Sequence, residues 1–219
     1  MKKFVKAVVF TIGILLVACG PSSRITSSWK APDIQQKYFN KILVLGLINE
    51  PDRTLREEME KHLVNDLNNL GYNAVCSCNE FDPKAFEHMS ESEAVAKITG
   101  TGVDAVLTIV LLDKTKERYY LPGRIYYSPY VIYHRRFWGY YSSLYSRVYA
   151  PGYYTTDTKY FWESNLYDLS KDKELLYSVQ TRSFDPASTG SLAEEYGKII
   201  VNDLVKNNVL SKEPKLKAY

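Results

Sequence analysis

Two apolar runs constrain this chain more than anything else in it. Lys41-Ile-Leu-Val-Leu-Gly-Leu47 and Ala105-Val-Leu-Thr-Ile-Val-Leu-Leu112 are continuous rather than alternating. A strand with one wet face alternates apolar and polar residues, whereas a strand covered on both faces does not. Between the runs lie two segments with helical spacing. Leu55, Met59, Leu63, Leu67 and Leu70 recur at three- and four-residue steps, which predicts a helix over 54–70 with one apolar face. Thr54 is placed to cap it, Glu57 to complete a capping box, and Gly71 to end it. A second helix is expected from Ser90 to Thr99, with Ser90 as cap, Glu93 as its partner, Ala94, Val95 and Ile98 inward, and Gly100 and Gly102 stopping it. Tyr72 to Cys78 reads as a strand between the helices. Strand, helix, strand, helix, strand requires parallel neighbours with crossovers.

The pattern changes after Lys114. Thr158 to Leu169 and Glu174 to Phe184 read as two strands around the polar turn Ser170-Lys-Asp-Lys173. In the second, Leu175, Tyr177 and Val179 alternate with Ser178, Gln180 and Arg182, as in an antiparallel hairpin with one buried side. A last helix is expected over 191–206. Leu192, Tyr196, Ile199, Ile200 and Leu204 share its stripe, and Asp203 is the misfit. The expected fold class is α+β: a mixed sheet, βαβαβ then an antiparallel hairpin and a C-terminal helix, with helices on one face and a Tyr-rich insertion at about 119–157.

The N-terminal stretch speaks to location rather than fold. Lys2, Lys3 and Lys6 precede an apolar run, Val8 to Val17, that ends in Leu16-Val17-Ala18-Cys19-Gly20. A spanning helix needs roughly 20 apolar residues. This run is shorter and holds Gly13. A basic start, a short apolar stretch and small residues before a cut site describe an export signal. The Leu-Val-Ala-Cys end resembles a bacterial lipoprotein signal. That resemblance implies removal of residues 1–18 and acylation of Cys19, which would anchor the chain stably through two or more acyl chains. Gly20 is not the Asp that resembles an inner-membrane retention signal, and Pro21-Ser22-Ser23-Arg24 carries no acidic cluster. Both favour the outer membrane, facing the periplasm. Residues 19–36, Ser-rich with Pro21 and Pro32, read as an unordered tether, apart from Trp29. The single domain is expected over 37–211, followed by a charged tail at 212–219.

Charge excludes one class of partner. Lys+Arg number 28 and Asp+Glu 25, and three of the lysines leave with the signal, so 28 − 3 = 25 cations face 25 acids. A near-neutral chain has no electrostatic case for binding nucleic acid. Cys76-Ser77-Cys78 leaves three readings open: two free or buried thiols, a local disulfide, or a metal or redox role. An oxidising envelope permits the disulfide. Two strand positions i and i+2 would make its ring tight, which favours free thiols. His62, His88 and His134 have no partner at metal-ligand spacing. No cofactor or metal is expected. Glu57, Glu58, Asp113, Glu194 and Glu195 fall on helix surfaces or strand ends, and no Gly-rich phosphate loop or nucleophile elbow occurs. The chain does not read as an enzyme.

Of the 19 tyrosines, 14 lie between Tyr119 and Tyr167. Arg124, Tyr126, Tyr127, Tyr130, Tyr133, Arg135, Arg136, Trp138, Tyr140, Tyr141 and Arg147 concentrate aromatic area and positive charge there. One reading is a long hairpin whose tyrosines pack on one another. The other is a contact surface: Tyr offers amphipathic area at low entropy cost, and Arg pairs with carboxylate or phosphate. Its partner would be an envelope protein, a second copy of the chain, or a glycan or lipid head group.

Asn165-Leu-Tyr-Asp-Leu-Ser-Lys-Asp-Lys-Glu-Leu-Leu-Tyr-Ser-Val-Gln-Thr181 resembles a family of small bacterial lipoproteins of unknown function, in which a strand ends in Tyr-Asp, turns, and returns through Leu-Leu-Tyr to Thr. The likeness extends to the first strand and to the helix start at Arg53, Arg56 and Glu57. More distantly, the order of elements is similar to periplasmic domains of curli-secretion lipoproteins and to the N-terminal domain of the Tol-Pal propeller protein. Those resemblances imply an envelope assembly or interaction module and supply no catalytic residue.

Overall fold

The computed structural model describes residues 22–32, 34, 36–50, 53–82, 85–86, 88–121, 153–170 and 173–212. Its strands are β1 (Ser23–Lys30), β2 (Ile42–Leu47), β3 (Ala74–Cys76), β4 (Ala105–Leu121), β5 (Tyr153–Asp168) and β6 (Glu174–Phe184). Its helices are α1 (Thr54–Asn69), α2 (Ser77–Glu80), α3 (Glu91–Thr99) and α4 (Thr189–Lys206). The fold is α+β, with one six-stranded mixed sheet in the order β1-β6-β5-β4-β2-β3. The apolar run in β2 pairs parallel with both β3 and β4, as the alternation of strands and helices requires. β5 and β6 pair antiparallel from Lys159↔Phe184 to Asp168↔Glu174. The Leu169 amide donates to the Asp104 carbonyl and the Asn165 amide to Thr108 Oγ1, so residue numbers fall along β5 as they rise along β4. Among the described residues no helix is long and apolar enough to cross a membrane.

The chain divides into two compact units, one of Met1–Lys114 with Lys159–Tyr219 and one of Thr115–Thr158. The first holds the core. Ile42, Val44, Ala105, Leu107, Ile109, Trp162, Leu166, Tyr177 and Val179 pack against Leu55, Met59, Leu63 and Leu67 of α1 and Leu192, Tyr196, Ile200 and Leu204 of α4. Their alternate neighbours Leu43 and Val106 point the other way and pack with Ile98 of α3 and Val103. Helices therefore cover both faces of the β2–β4 side, which corrects the expectation of helices on one face. A continuous apolar run says that both faces are covered without saying by what.

Local signals act largely as written. Ser90 caps α3 in a full capping box with Glu93. Gly71 and Gly102 take φ values of +100° and +82°, where a side chain would be strained. At α1 the cap is Arg53, without a side-chain bond, and Thr54 is already the first helical residue. β3 ends at Cys76, and the chain turns into α2, so Tyr72 to Cys78 is not one strand.

The larger correction is at the N-terminus of the domain. Residues 23–30 are strand β1 on the sheet edge, paired antiparallel with β6 from Ser23↔Ser183 to Lys30↔Tyr177. The tether reading failed because β1 carries no apolar period. Ladder bonds and polar side chains hold it instead. Ser23 and Ser183 hydroxyls meet at 2.7 Å, Ser28 Oγ donates to Asp203 at 2.7 Å, and Lys30 Nζ donates to the Asn207 carbonyl at 2.9 Å. Asp203, the misfit of the α4 stripe, thus has work there. It also accepts the Tyr177 hydroxyl at 2.6 Å and Asn207 Nδ2 at 2.9 Å. Burial, then Asp203, pushes the Tyr177 phenol up, so it stays protonated as the donor.

Candidate functional site

The most concentrated chemistry among the described residues is buried under β2. Glu60 sits on the core stripe of α1, between Met59 and Leu63, and is fully buried. Its Oε1 accepts the Gly46 amide at 2.9 Å, its Oε2 accepts the Cys78 amide at 3.1 Å, and Ser77 Oγ lies 2.9 Å from both oxygens. Arg56 Nε is 3.7 Å from Oε1. Burial raises the Glu60 carboxyl above the usual carboxylate range, opposed by the Gly46, Ser77 and Cys78 bonds and the Arg56 charge. A Cβ on Gly46 would come within 2.7 Å of Arg56 Cγ and of Glu60 Oε1, so the glycine is what admits the carboxylate to the strand.

Cys76 and Cys78 meet at this carboxylate and are joined as a disulfide, with Cα atoms 5.2 Å apart. The expected strain of a strand i, i+2 pair does not apply, because Cys76 ends β3 and Cys78 lies in the helical turn α2. Ligand atoms of Glu60, Cys76 and Cys78 lie within 4.8 Å of one another, a spacing a metal would accept. In the bonded form the two sulfurs satisfy each other, and Cys76 Sγ, 2.9 Å from Glu60 Oε2, has no proton to give. The arrangement ties β2, α1 and the 76–78 turn together. Sequence reading missed Glu60 because it weighed Glu57 and Glu58 on the same helix; a lone acid inside an apolar stripe was the available signal.

Among the described residues, the remaining candidate acids and histidines serve the surface. His62 Nε2 is 3.6 Å from Glu58 Oε2, one turn away on α1. Glu194 pairs with Lys198 along α4, and Glu195 accepts the Ser22 hydroxyl at 2.7 Å. His88 occupies a left-handed turn position, with φ of +62°. His134, Cys19 and the predicted contact residues Arg124, Tyr126, Tyr127, Tyr130, Tyr133, Arg135, Arg136, Trp138, Tyr140, Tyr141 and Arg147 lie outside the described residues.

The described part of the Tyr-rich unit has its own order. The Arg118 guanidinium lies 4.4 Å from the centre of the Tyr154 ring, and Tyr120 packs on Tyr154 at 5.2 Å. Tyr119 donates its hydroxyl to Asp157. These tyrosines stay open to solvent all the same: Tyr119 is 41 % exposed, Tyr120 53 % and Tyr154 61 %. Here the rings pack on one another and still present aromatic area to solvent.

At the far edge of the first unit, the register brings together residues the sequence keeps apart. Arg24 of β1 lies directly across from Arg182 of β6, whose partner on the other side is Phe161 of β5. Two residues on, Lys159 is paired with Phe184, its Nζ 5.7 Å from the ring centre. Phe184 is 47 % exposed.

No family model matches the chain, and no curated protein matches it. Solved structures do. A PelC dodecamer from Paraburkholderia phytofirmans aligns over 85% of this chain and 98% of its own, at 10% identity and a TM-score of 0.43. A variant of PelC from the same organism covers 81% and 94%, at 12% identity and 0.41. Lipoprotein GNA1162 from Neisseria meningitidis covers 76% and 98%, at 19% identity and 0.41. Likenesses of that size assign this chain neither a family nor a function.

Proposed function

We propose that this chain is a lipid-anchored protein of the cell envelope that works without catalysis, by presenting a binding surface to another protein. The Leu16-Val17-Ala18-Cys19 signal supports the anchor, and Gly20 favours the outer membrane, facing the periplasm. The observation that carries the binding role is the exposed Tyr154 ring with Arg118 over its face and Tyr120 tilted against it. These contacts hold the rings before a partner arrives, so little side-chain entropy is lost on contact, and Tyr and Arg are the residues that interfaces favour. The buried polar groups support a structural use: Glu60, Asp203 and Tyr177 each hold separate segments of the fold together.

The test is photocrosslinking in cells from a benzoylphenylalanine placed at Tyr120. A discrete heavier band, either with another envelope protein or with a second copy of the chain, is the expected result. A lipid- or glycan-reactive smear would transfer the role to head-group or glycan binding. Absence of any adduct from Tyr120 and from Tyr154 would remove the contact surface.

A further inference from the structure

β1 starts four residues after Cys19. A fully extended chain spans at most about 3.6 Å per residue, so Ser23 lies within about 14 Å of the acylated residue if Cys19 carries the anchor. The polar layer on each side of a bilayer is roughly 5–8 Å deep, the difference between its full and hydrocarbon thickness shared by two faces. An anchor that short leaves the starting edge of β1 in or just above the head groups. The same edge carries Phe184, because its amide donates to the Ser22 carbonyl at 2.8 Å.

The side chains there suit that position. Arg24 and Arg182 face each other across β1 and β6, an arrangement of like charges that disfavours the pairing unless an anion lies between or beside them. Among the described residues no carboxylate comes within 4.0 Å of either guanidinium. Phe161 is paired with Arg182 and Lys159 with Phe184, so by strand alternation all five side chains are on the face of the sheet away from α4. The acids close by are few. Asp185 follows Phe184 at the end of the strand. Glu163, further along the same face, takes the Gln180 and Asn165 side-chain amides at 3.0 Å each. Glu195 holds Ser22 from the helix side. Exposed aromatic rings flanked by long basic side chains are what a head-group layer accepts: the ring enters the interface and the cations reach phosphate.

We infer that the sheet edge formed by Arg24, Arg182, Lys159 and Phe184 is a bilayer contact, which binds the phosphate head groups of the membrane holding Cys19 and fixes the orientation of the domain on it. The inference rests on the lipid-anchor reading. It gives the domain a defined face towards the membrane and sends the opposite end, with the turn at Ser170 and Lys173, away from it.

The test uses the full lipidated chain in vesicles of phosphatidylethanolamine and phosphatidylglycerol, some of the lipid bearing doxyl quencher. Phe184→Cys, Ala187→Cys and Lys173→Cys are each labelled with an environment-sensitive fluorophore, at one label per chain by intact mass. Ala187, exposed three residues beyond β6, reads the same end with Phe184 left in place. Flotation of each sample is scored alongside. Flotation together with loss of fluorescence at 184 and 187, and none at 173, is the expected result. Flotation with no loss at 184 and 187, or with equal loss at 173, overturns the bilayer contact and leaves the anchor standing. A chain that does not float overturns the anchor, and the contact with it.

Discussion

The Phe184 amide donates to the Ser22 carbonyl at 2.8 Å, closing the end of β6 onto the residue before β1. Only Gly20, Pro21 and Ser22 therefore separate Cys19, the proposed anchor, from the sheet. With the proposed anchor on Cys19, the domain would stay close to the membrane, and its partners would have to come to that surface or be carried there themselves.

Tyr177→Phe tests how β1 is held. The substitution removes the donor to Asp203 and leaves that carboxylate with Ser28 and Asn207. Hydrogen bonds to charged groups contribute about 1.5–3 kcal/mol each, so chemical denaturation should show a loss of that order. Proteolysis near Ser28 should accelerate in parallel, since Ser28 shares the same acceptor. An unchanged midpoint would mean that the ladder alone keeps β1 in place.

Glu60 sets a pH dependence. Burial raises its folded-state pKa above the ordinary 4.5, so the folded state holds that proton more tightly than the unfolded chain does. Its contribution is complete below the unfolded value and declines as pH rises towards and through the folded value. Glu60→Gln has no such decline, so the stability gap between wild type and variant should narrow from pH 4 upwards. Thermal melts across that range read it, and a widening gap would contradict the account.

Reduction tests the 76–78 bridge. Closing so short a loop is worth about 1–2 kcal/mol on the chain-entropy estimate. Dithiothreitol should lower the melting midpoint by a few degrees without unfolding the domain, because the Gly46 and Cys78 amides still hold Glu60. Free thiols titrated in the unreduced, oxidatively purified chain would remove the disulfide from the account.

Excision tests the two-unit division. Replacing Thr115–Thr158 by a short glycine linker joins Lys114 to Lys159, both in the unit that holds the core. The shortened chain should unfold cooperatively with a melting midpoint near that of the parent. If it fails to fold, residues 115–158 complete the core and are not a separate contact unit.

Local signals were legible in the sequence. The period of Leu55, Met59, Leu63 and Leu67 gave α1, Ser90 with Glu93 gave the start of α3, and the Leu-Leu-Tyr-Ser-Val run gave β6 within its hairpin. What stayed hidden depends on partners distant in the chain. β1 is held by Asp203, 175 residues from Ser28, and a Ser-rich segment carries no period to announce that. Glu60 stands out as a lone acid in an apolar stripe, but nothing in the stripe says that Gly46 and Cys78 converge on it. Arg24 and Arg182 become neighbours only through strand register. The division of helices between two faces was equally out of reach, since Ile42 and Leu43 are alike in sequence and opposite in the sheet.

The central claim is a domain tied to the membrane at Cys19, and the intact mass of the chain extracted from the cell envelope tests it most directly. The expected result is a chain that begins at Cys19 and carries the added mass of a diacylglycerol and a further acyl group, together with a Cys19→Ser variant that is neither acylated nor retained by membranes. A mature chain that begins elsewhere, or an unmodified Cys19 in membrane-bound protein, would contradict it.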